Sequence, residues 1–282
     1  MLFRRLLFLL AAALVLAGCQ RAPKISNEVV AVPAARIPAT AADRAWDPAP
    51  EHVAKLLLQD LVEPRLMKPS TQEVRVRAVS SDSEIAFRLT WNDSVDNSLP
   101  GAARFSDACA VQLPKKLEPN PPDPQMGQAG RPVEITFWRA DWQGSVNGRG
   151  DTIRDLYPNA AVDHYPYQAG SLEKDAAAQK EMELRYSPAR ALGNHRSGPR
   201  TSAVEDMIAE GPGTLAPVAG ASSSKGQGVR SASGWSVVIS RKLPEGLGPR
   251  QRTQVAFAVW EGSAQEVGSR KMRTGWIPLL RQ

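Results

Sequence analysis

Cysteine is nearly absent: the 282 residues contain only two, Cys19 and Cys109. Without a Cys-x-x-Cys-His motif, no haem can be held by thioether bonds. Without clustered cysteines there is no iron–sulfur centre and no zinc knuckle. Cys109 lies in the apolar run Ala108-Cys109-Ala110-Val111 and reads as a packed core thiol. Histidine is scarce too. His52, His164 and His195 occur in unrelated contexts, none near a Gly-x-Ser-x-Gly, so no hydrolytic constellation is visible. Glycine-rich phosphate loops are missing. Asp141 and Asp151 read as turn and cap residues. The formal charge is +6, but basic and acidic residues are interspersed, with neither a stacking platform nor a basic helix, which argues against nucleic acid.

One long apolar run exists, at the start. Arg4 and Arg5 precede Leu6 to Leu16, and Leu16-Ala17-Gly18-Cys19 closes the segment. It is too short to cross a hydrocarbon core of about 30 Å as a helix and reads as a signal peptide, residues 1–19. The Leu-Ala-Gly-Cys box resembles the bacterial lipoprotein signal, in which the cysteine takes a diacylglycerol and becomes the new N-terminus. Cys19 is therefore expected to be lipidated, on the periplasmic side. Gln20 rather than Asp after it points to the outer membrane over the inner. The Arg4-Arg5 pair leaves Tat export open beside Sec. Once the signal is removed, 33 basic residues face 29 acidic ones, and Cys109 has no partner for an intrachain disulfide.

Residues 20–50 are rich in Ala and Pro and read as a flexible tether, within which Asn27 to Ala35 can add a strand and Trp46 can tuck onto the body. Val74 to Val79 alternates strictly between apolar and other residues, with Arg75 and Arg77 on one face. Glu84 to Trp91 returns in register, giving a hairpin. Arg104 to Leu113 and Pro132 to Trp142 supply further strands around a proline-dense loop. Ser171 to Arg185 is alanine-rich and helical, and Ser202 to Glu205 reads as a capping box for a short helix ending at Gly211. Gly220 to Gly234 looks flexible. Trp235 to Leu243 resumes the strands. Val255 to Trp260 is a continuous apolar run, suited to a strand covered on both faces, and a glycine-flanked basic turn then leads to a closing strand. Strands, a helical insertion at about 151–211, then strands again predict one mainly β domain over residues 51–282, an antiparallel β-sandwich.

Two residues stand out for chemistry. Met126 sits in the stiff loop Asp123-Pro124-Gln125-Met126-Gly127, where a thioether can be offered to a soft metal. Lys271 lies between the tryptophan-ended strand and Trp276; composition alone reads its turn as a solvated basic loop. General haem chemistry points elsewhere, to His164 or His52.

Seven stretches in order resemble the haem b subunit of the type II DMSO-reductase family of molybdoenzymes, the ethylbenzene dehydrogenase, selenate reductase, chlorate reductase and dimethylsulfide dehydrogenase group. They are IAFRLTWND, RFSDACAVQLP, the Met126-Gly127 loop with PVEITFWRADWQ, DLYPNAAVDHYPY, GPGTL, GWSVVISRKL and VAFAVWEGSAQEVGSRKMRTGWIPL. The resemblance implies a β-sandwich enclosing one non-covalent b haem with Met126 and Lys271 as axial iron ligands. It implies a non-catalytic electron-transfer subunit. Its expected partners are a molybdopterin-containing catalytic subunit, an iron–sulfur subunit and a c-type cytochrome. Lipidation at Cys19 departs from relatives that look like soluble periplasmic subunits. Lys271 would bind iron only as the neutral amine, and Met272, its neighbour on an extended chain, should point the other way. The rival is a haem-free β-sandwich lipoprotein binding carbohydrate or protein, with Trp138, Trp142 and Trp276 stacking on sugars.

Overall fold

A computed structural model describes residues 26–150, 153–159, 174–178, 180–181, 200–218 and 222–282. Cys19, Asp151, His164, His195 and most of the expected helix 171–185 lie outside them; residues 176–178, 180 and 181 of that helix are helical.

The strands in chain order are β1 (Val29–Pro33), β2 (His52–Lys55), β3 (Leu57–Leu58), β4 (Glu73–Ser80), β5 (Glu84–Asn92), β6 (Ala108–Pro114), β7 (Val133–Arg139), β8 (Val204–Ala209), β9 (Ala216–Pro217), β10 (Lys225–Ser231), β11 (Gly234–Lys242), β12 (Arg252–Trp260), β13 (Met272–Arg273) and β14 (Ile277–Arg281). Among the described residues, besides the helical residues in 176–181, the α-helices are α1 (Ala140–Val146) and α2 (Ile153–Leu156). The main path runs β10-β11-β5-β4-β1-β14-β12-β6-β7-β8-β9. β12 is the hinge of this path. Its residues Arg252 to Val255 pair with β14, and Ala256 to Trp260 pair with β6. The sheet thereby folds on itself into two layers.

The space between the layers is filled, not hollow. Trp138 of β7 packs edge-on to Trp91 of β5 and Trp235 of β11, with ring centroids 6.4 and 5.1 Å apart. Phe87 meets Phe257 at 6.0 Å in the same way. Buried aromatic pairs of this geometry add about 0.5–1.5 kcal/mol each beyond their burial. Cys109 is buried in this core, as expected, and burial pushes its thiol well up from the ordinary range.

Much of the expected pattern is present. β4 and β5 pair as the predicted hairpin, with Arg77 bonded to the Trp46 carbonyl at 3.1 Å. Four expectations need correction. Residues 26–50 are part of the body: β1 lies between β4 and β14, and Trp46 is fully buried. β1 pairs parallel with both neighbours, so the sheet is antiparallel with one exception. Val29-Val30-Ala31-Val32 is buried throughout, the two-sided apolar run that a central parallel strand requires. Val204–Ala209 is a strand paired with β7, not a capped helix. Residues 225–231 are strand β10, whose glycines let it approach the core: a Cβ on Gly228 would meet the Trp138 ring at 2.2 Å.

Candidate functional site

A cleft of about 500 Å³ opens on the outward face of the layer β13-β12-β6-β7-β8. The period-2 alternation of strands decides what faces it. On β6 and β12, Cys109, Val111, Phe257 and Val259 turn inward to the core, while Ala108, Ala110, Ala256 and Ala258 turn outward. Four small side chains on two neighbouring central strands leave the hollow. Ile135, Phe137 and Arg139 of β7 line it on one side, and Trp260 ends it. Phe137 meets Trp260 with centroids 5.0 Å apart.

Met126 and Lys271, 145 positions apart in sequence, both line this cleft. Met126 is delivered by the proline-dense loop between β6 and β7. That loop is tied down where Gln112 Nε2 donates to the Pro124 carbonyl at 2.9 Å and Trp276 Nε1 to the Pro122 carbonyl at 2.6 Å. Met126 itself adopts a left-handed backbone, φ 72°, which costs a residue with a Cβ about 1–2 kcal/mol. Strain of this kind persists only where the surroundings impose it and concentrates at functional sites. Gly127 follows at φ 82°. A Cβ there would meet the Ala209 carbonyl oxygen at 2.8 Å, so the glycine seats the loop against β8 rather than clearing space for a ligand.

Lys271 comes from the turn after β12. Its carbonyl accepts from the Gln59 backbone N–H at 3.1 Å, and the Gln59 side chain also donates to Val62 and Ser269 carbonyls. Just beyond, Thr274 pins the segment to Phe257 through two hydrogen bonds of 2.9 Å. Lys271 Nζ lies 5.1 Å from the Trp260 ring centroid, a cation–π contact. Burial first, and then the neighbouring Arg273 charge, hold its ammonium down to about 8. Met272 points the other way into the interlayer core, 2% exposed, as expected for an adjacent residue.

The other sequence candidates disperse. His52 Nδ1 is 2.8 Å from the Ser26 carbonyl, on β2, and does not line the cleft. Asp141 is engaged by Arg139 at 2.7 and 2.9 Å. Trp138 is fully buried and Trp142 nearly so, and the Trp276 N–H is spent on the Met126 loop. No exposed tryptophan platform of the kind a sugar would stack on is formed by these three. A separate cluster joins Asp93, Asp107 and Glu261, whose oxygens lie within 4.8 Å of one another. Asp107 is already committed: it accepts from Trp235 Nε1 at 3.0 Å and from the backbone N–H groups of Asn97 and Gly262 at 3.0 and 2.9 Å. It is a structural hub tying the two layers together at one end.

Residues that sequence reading missed are the outward alanines, Gln59, Trp260, Arg104 and Arg273. A signal for the alanines was present: ACAVQ and AFAVW both alternate small and large at period two.

The chemistry of the wall fits a flat, largely apolar cofactor bound by a metal. The volume falls within the range of about 300–1,000 Å³ usual for cofactor sites. A soft thioether and an amine already biased toward its neutral form share one apolar cavity, and cations stand at its edge.

Fold and site together define a two-layered β protein with a cofactor-sized cleft on one outer face. The model of the family described as ethylbenzene dehydrogenase matches residues 43–272, and the chain belongs to that family. The family is the one that the sequence resemblance reached. A relative from Haloferax mediterranei, named as a respiratory nitrate reductase heme subunit, ORF7, is 24% identical over 239 residues. That alignment covers 82% of this chain and 64% of the relative. Two solved structures of a family 9 carbohydrate binding module from Caldicellulosiruptor kristjanssonii overlap distantly. The cellotriose complex has a TM-score of 0.39 at 9% identity, covering 88% of this chain and 83% of its own. The glucose complex has 0.38 at 8%, covering 90% and 95%. Overlap at this level carries no argument about binding.

Proposed function

We propose that the chain is the electron-transfer haem b subunit of a molybdenum oxidoreductase complex on the periplasmic side. One observation carries this reading: Met126, held in a strained backbone, and Lys271 are walls of the same apolar cleft. Family membership and the name of the Haloferax relative support it. A single non-covalent b haem bound there would supply one-electron redox chemistry. Met126 presents a thioether, which favours the ferrous state and raises the potential. Lys271 presents an amine, and its burial lowers the cost of shedding the proton that coordination must displace. With Met126 and Lys271 both holding the iron, a substrate would find no free position on it, and the subunit would relay electrons and make no bonds. The partners are then a molybdopterin-containing catalytic subunit, an iron–sulfur subunit and a c-type cytochrome as redox partner. Cys19 would carry the lipid that holds the assembly at a membrane, the outer one favoured by Gln20.

The cleft lies on the outside of one layer, not between the two. The resemblance implied a haem enclosed by the sandwich; tryptophan and phenylalanine occupy that space instead. An outward site brings the cofactor edge nearer to partner surfaces, which suits a relay.

An absorption spectrum of purified mature protein tests the proposal. A Soret band, with sharp α and β bands on reduction, is expected. A colourless protein that takes up no added haemin overturns it in favour of a haem-free binding module.

A further inference from the structure

The cleft wall is apolar but carries an unbalanced positive charge. Its cations are Arg104, Arg139, Lys271 and Arg273; its carboxylates are Glu63 and Glu266. Most of these groups are committed. Glu63 pairs with Arg65 at 2.9 Å, and Glu266 accepts from the Ser70 hydroxyl and the Glu261 backbone N–H. Arg139 forms a two-bond fork on Asp141. The Arg104 guanidinium lies over the Tyr157 ring at 5.4 Å. Lys271 lies over Trp260.

Arg273 is different. Its backbone is fixed in β13, opposite Ala258 on one side and Leu57 on the other. Its side chain is half-buried against the alanine floor, two residues from Lys271. Among the described residues no acceptor and no carboxylate meets its guanidinium. A half-buried guanidinium without a protein acceptor is open to an anion, and its planar fork matches a carboxylate in two-point geometry.

We propose that Arg273 binds a carboxylate on the rim of the cofactor and thereby sets its rotation in the cleft. This rests on the haem reading above. Met126 and Lys271 would hold a metal but would not by themselves set the rotation of a planar ring bound to it. An off-axis charge on the wall removes that freedom. An anionic rim group meets Arg273 without displacing any contact that its side chain makes within the protein.

The test compares haemin with haemin dimethyl ester, whose carboxylates are masked, by spectral titration of haem-depleted wild type and Arg273→Gln. Wild type should bind haemin roughly tenfold or more tighter than the ester, the scale of a hydrogen bond to a charged group. Arg273→Gln should lose that preference while binding the ester as wild type does. Arg273→Lys should recover part of it, keeping charge without the fork. Equal weakening toward both ligands would assign Arg273 to folding, and undiminished haemin binding would leave it no role; either overturns the inference while the haem reading stands. Wild type that binds neither ligand overturns both.

Discussion

At the scale of single residues, direction matters as much as identity. Lys271 and Met272 are neighbours, yet one faces the cleft and the other the interlayer core. Met126→Ala and Lys271→Ala should each abolish the low-spin spectrum with little effect on the apo fold. Met272→Ala should do the reverse, costing about 2–5 kcal/mol as a cavity in a packed core while the folded fraction keeps its spectrum. Visible spectra and thermal unfolding on the same samples separate the two outcomes. Asp107 offers a prediction in pH. Burial, with the charge of Asp93 among the further causes, raises its carboxyl from 3.8 to about 6. A carboxyl with a raised folded value binds its proton more tightly when folded than when unfolded. Its contribution is complete below the unfolded value and is lost as pH rises through about 6. Asp93→Asn removes the facing charge and can still accept from the Val95 N–H, as the Asp93 carboxylate does at 2.9 Å. The variant should therefore gain stability over wild type at pH 8, on the order of 1 kcal/mol, and gain less at pH 5. A difference that does not change with pH would rule this account out.

At the scale of elements, the alternation within strands made most of the sheet readable, and two-sided burial explains where it misled. Val74 to Val79 and Val255 to Trp260 carry their environments in their patterns, and both are strands. Val204 to Ala209 has an outward Met207 against Ile135 and an inward Val204 in the core, a period of two. A nearby Ser and Glu imitated a helix cap, and the tertiary sheet overrode it. Residues 225–231 looked flexible because they are glycine-rich, yet their glycines serve close packing on Trp138. That Met126 and Lys271 share one cleft was legible only through resemblance, since neither spacing nor composition says that a loop before β7 and a turn after β12 will meet over the same floor. That floor is the feature an element-scale test should attack. Ala258, facing the cleft between Ala110 and Arg273 across its pairings, has room outward but not inward. Ala258→Leu should fill the cleft, leaving circular dichroism and unfolding temperature close to wild type while haemin uptake falls by at least an order of magnitude. Normal uptake by a folded variant would mean that the cofactor does not rest on these strands.

At the scale of the whole molecule, residues 26–50 belong to the body rather than to a tether, which shortens any link between Cys19 and the sheet. With β1 beginning at Val29 and locked between β4 and β14, the chain from Cys19 to the sheet is ten residues, not thirty. Fully extended, that reaches at most about 35 Å, and less in any relaxed form. A lipid on Cys19 would thus hold the body close beside the membrane surface. On this proposal the acyl chains at Cys19 would have to provide the attachment, since basic and acidic residues are interspersed along the sequence. The expected outcome is sharp. Wild type, expressed from Met1, should pellet with membranes and take up labelled palmitate. Cys19→Ser should lose the label and, once exported behind a cleavable leader, appear in the soluble periplasmic fraction with the same haem spectrum, because the cleft is lined by residues from Gln59 onward in the chain. Soluble wild type, or a Cys19→Ser protein that still pellets when free of partner subunits, would remove the anchor from the picture and leave the cleft untouched.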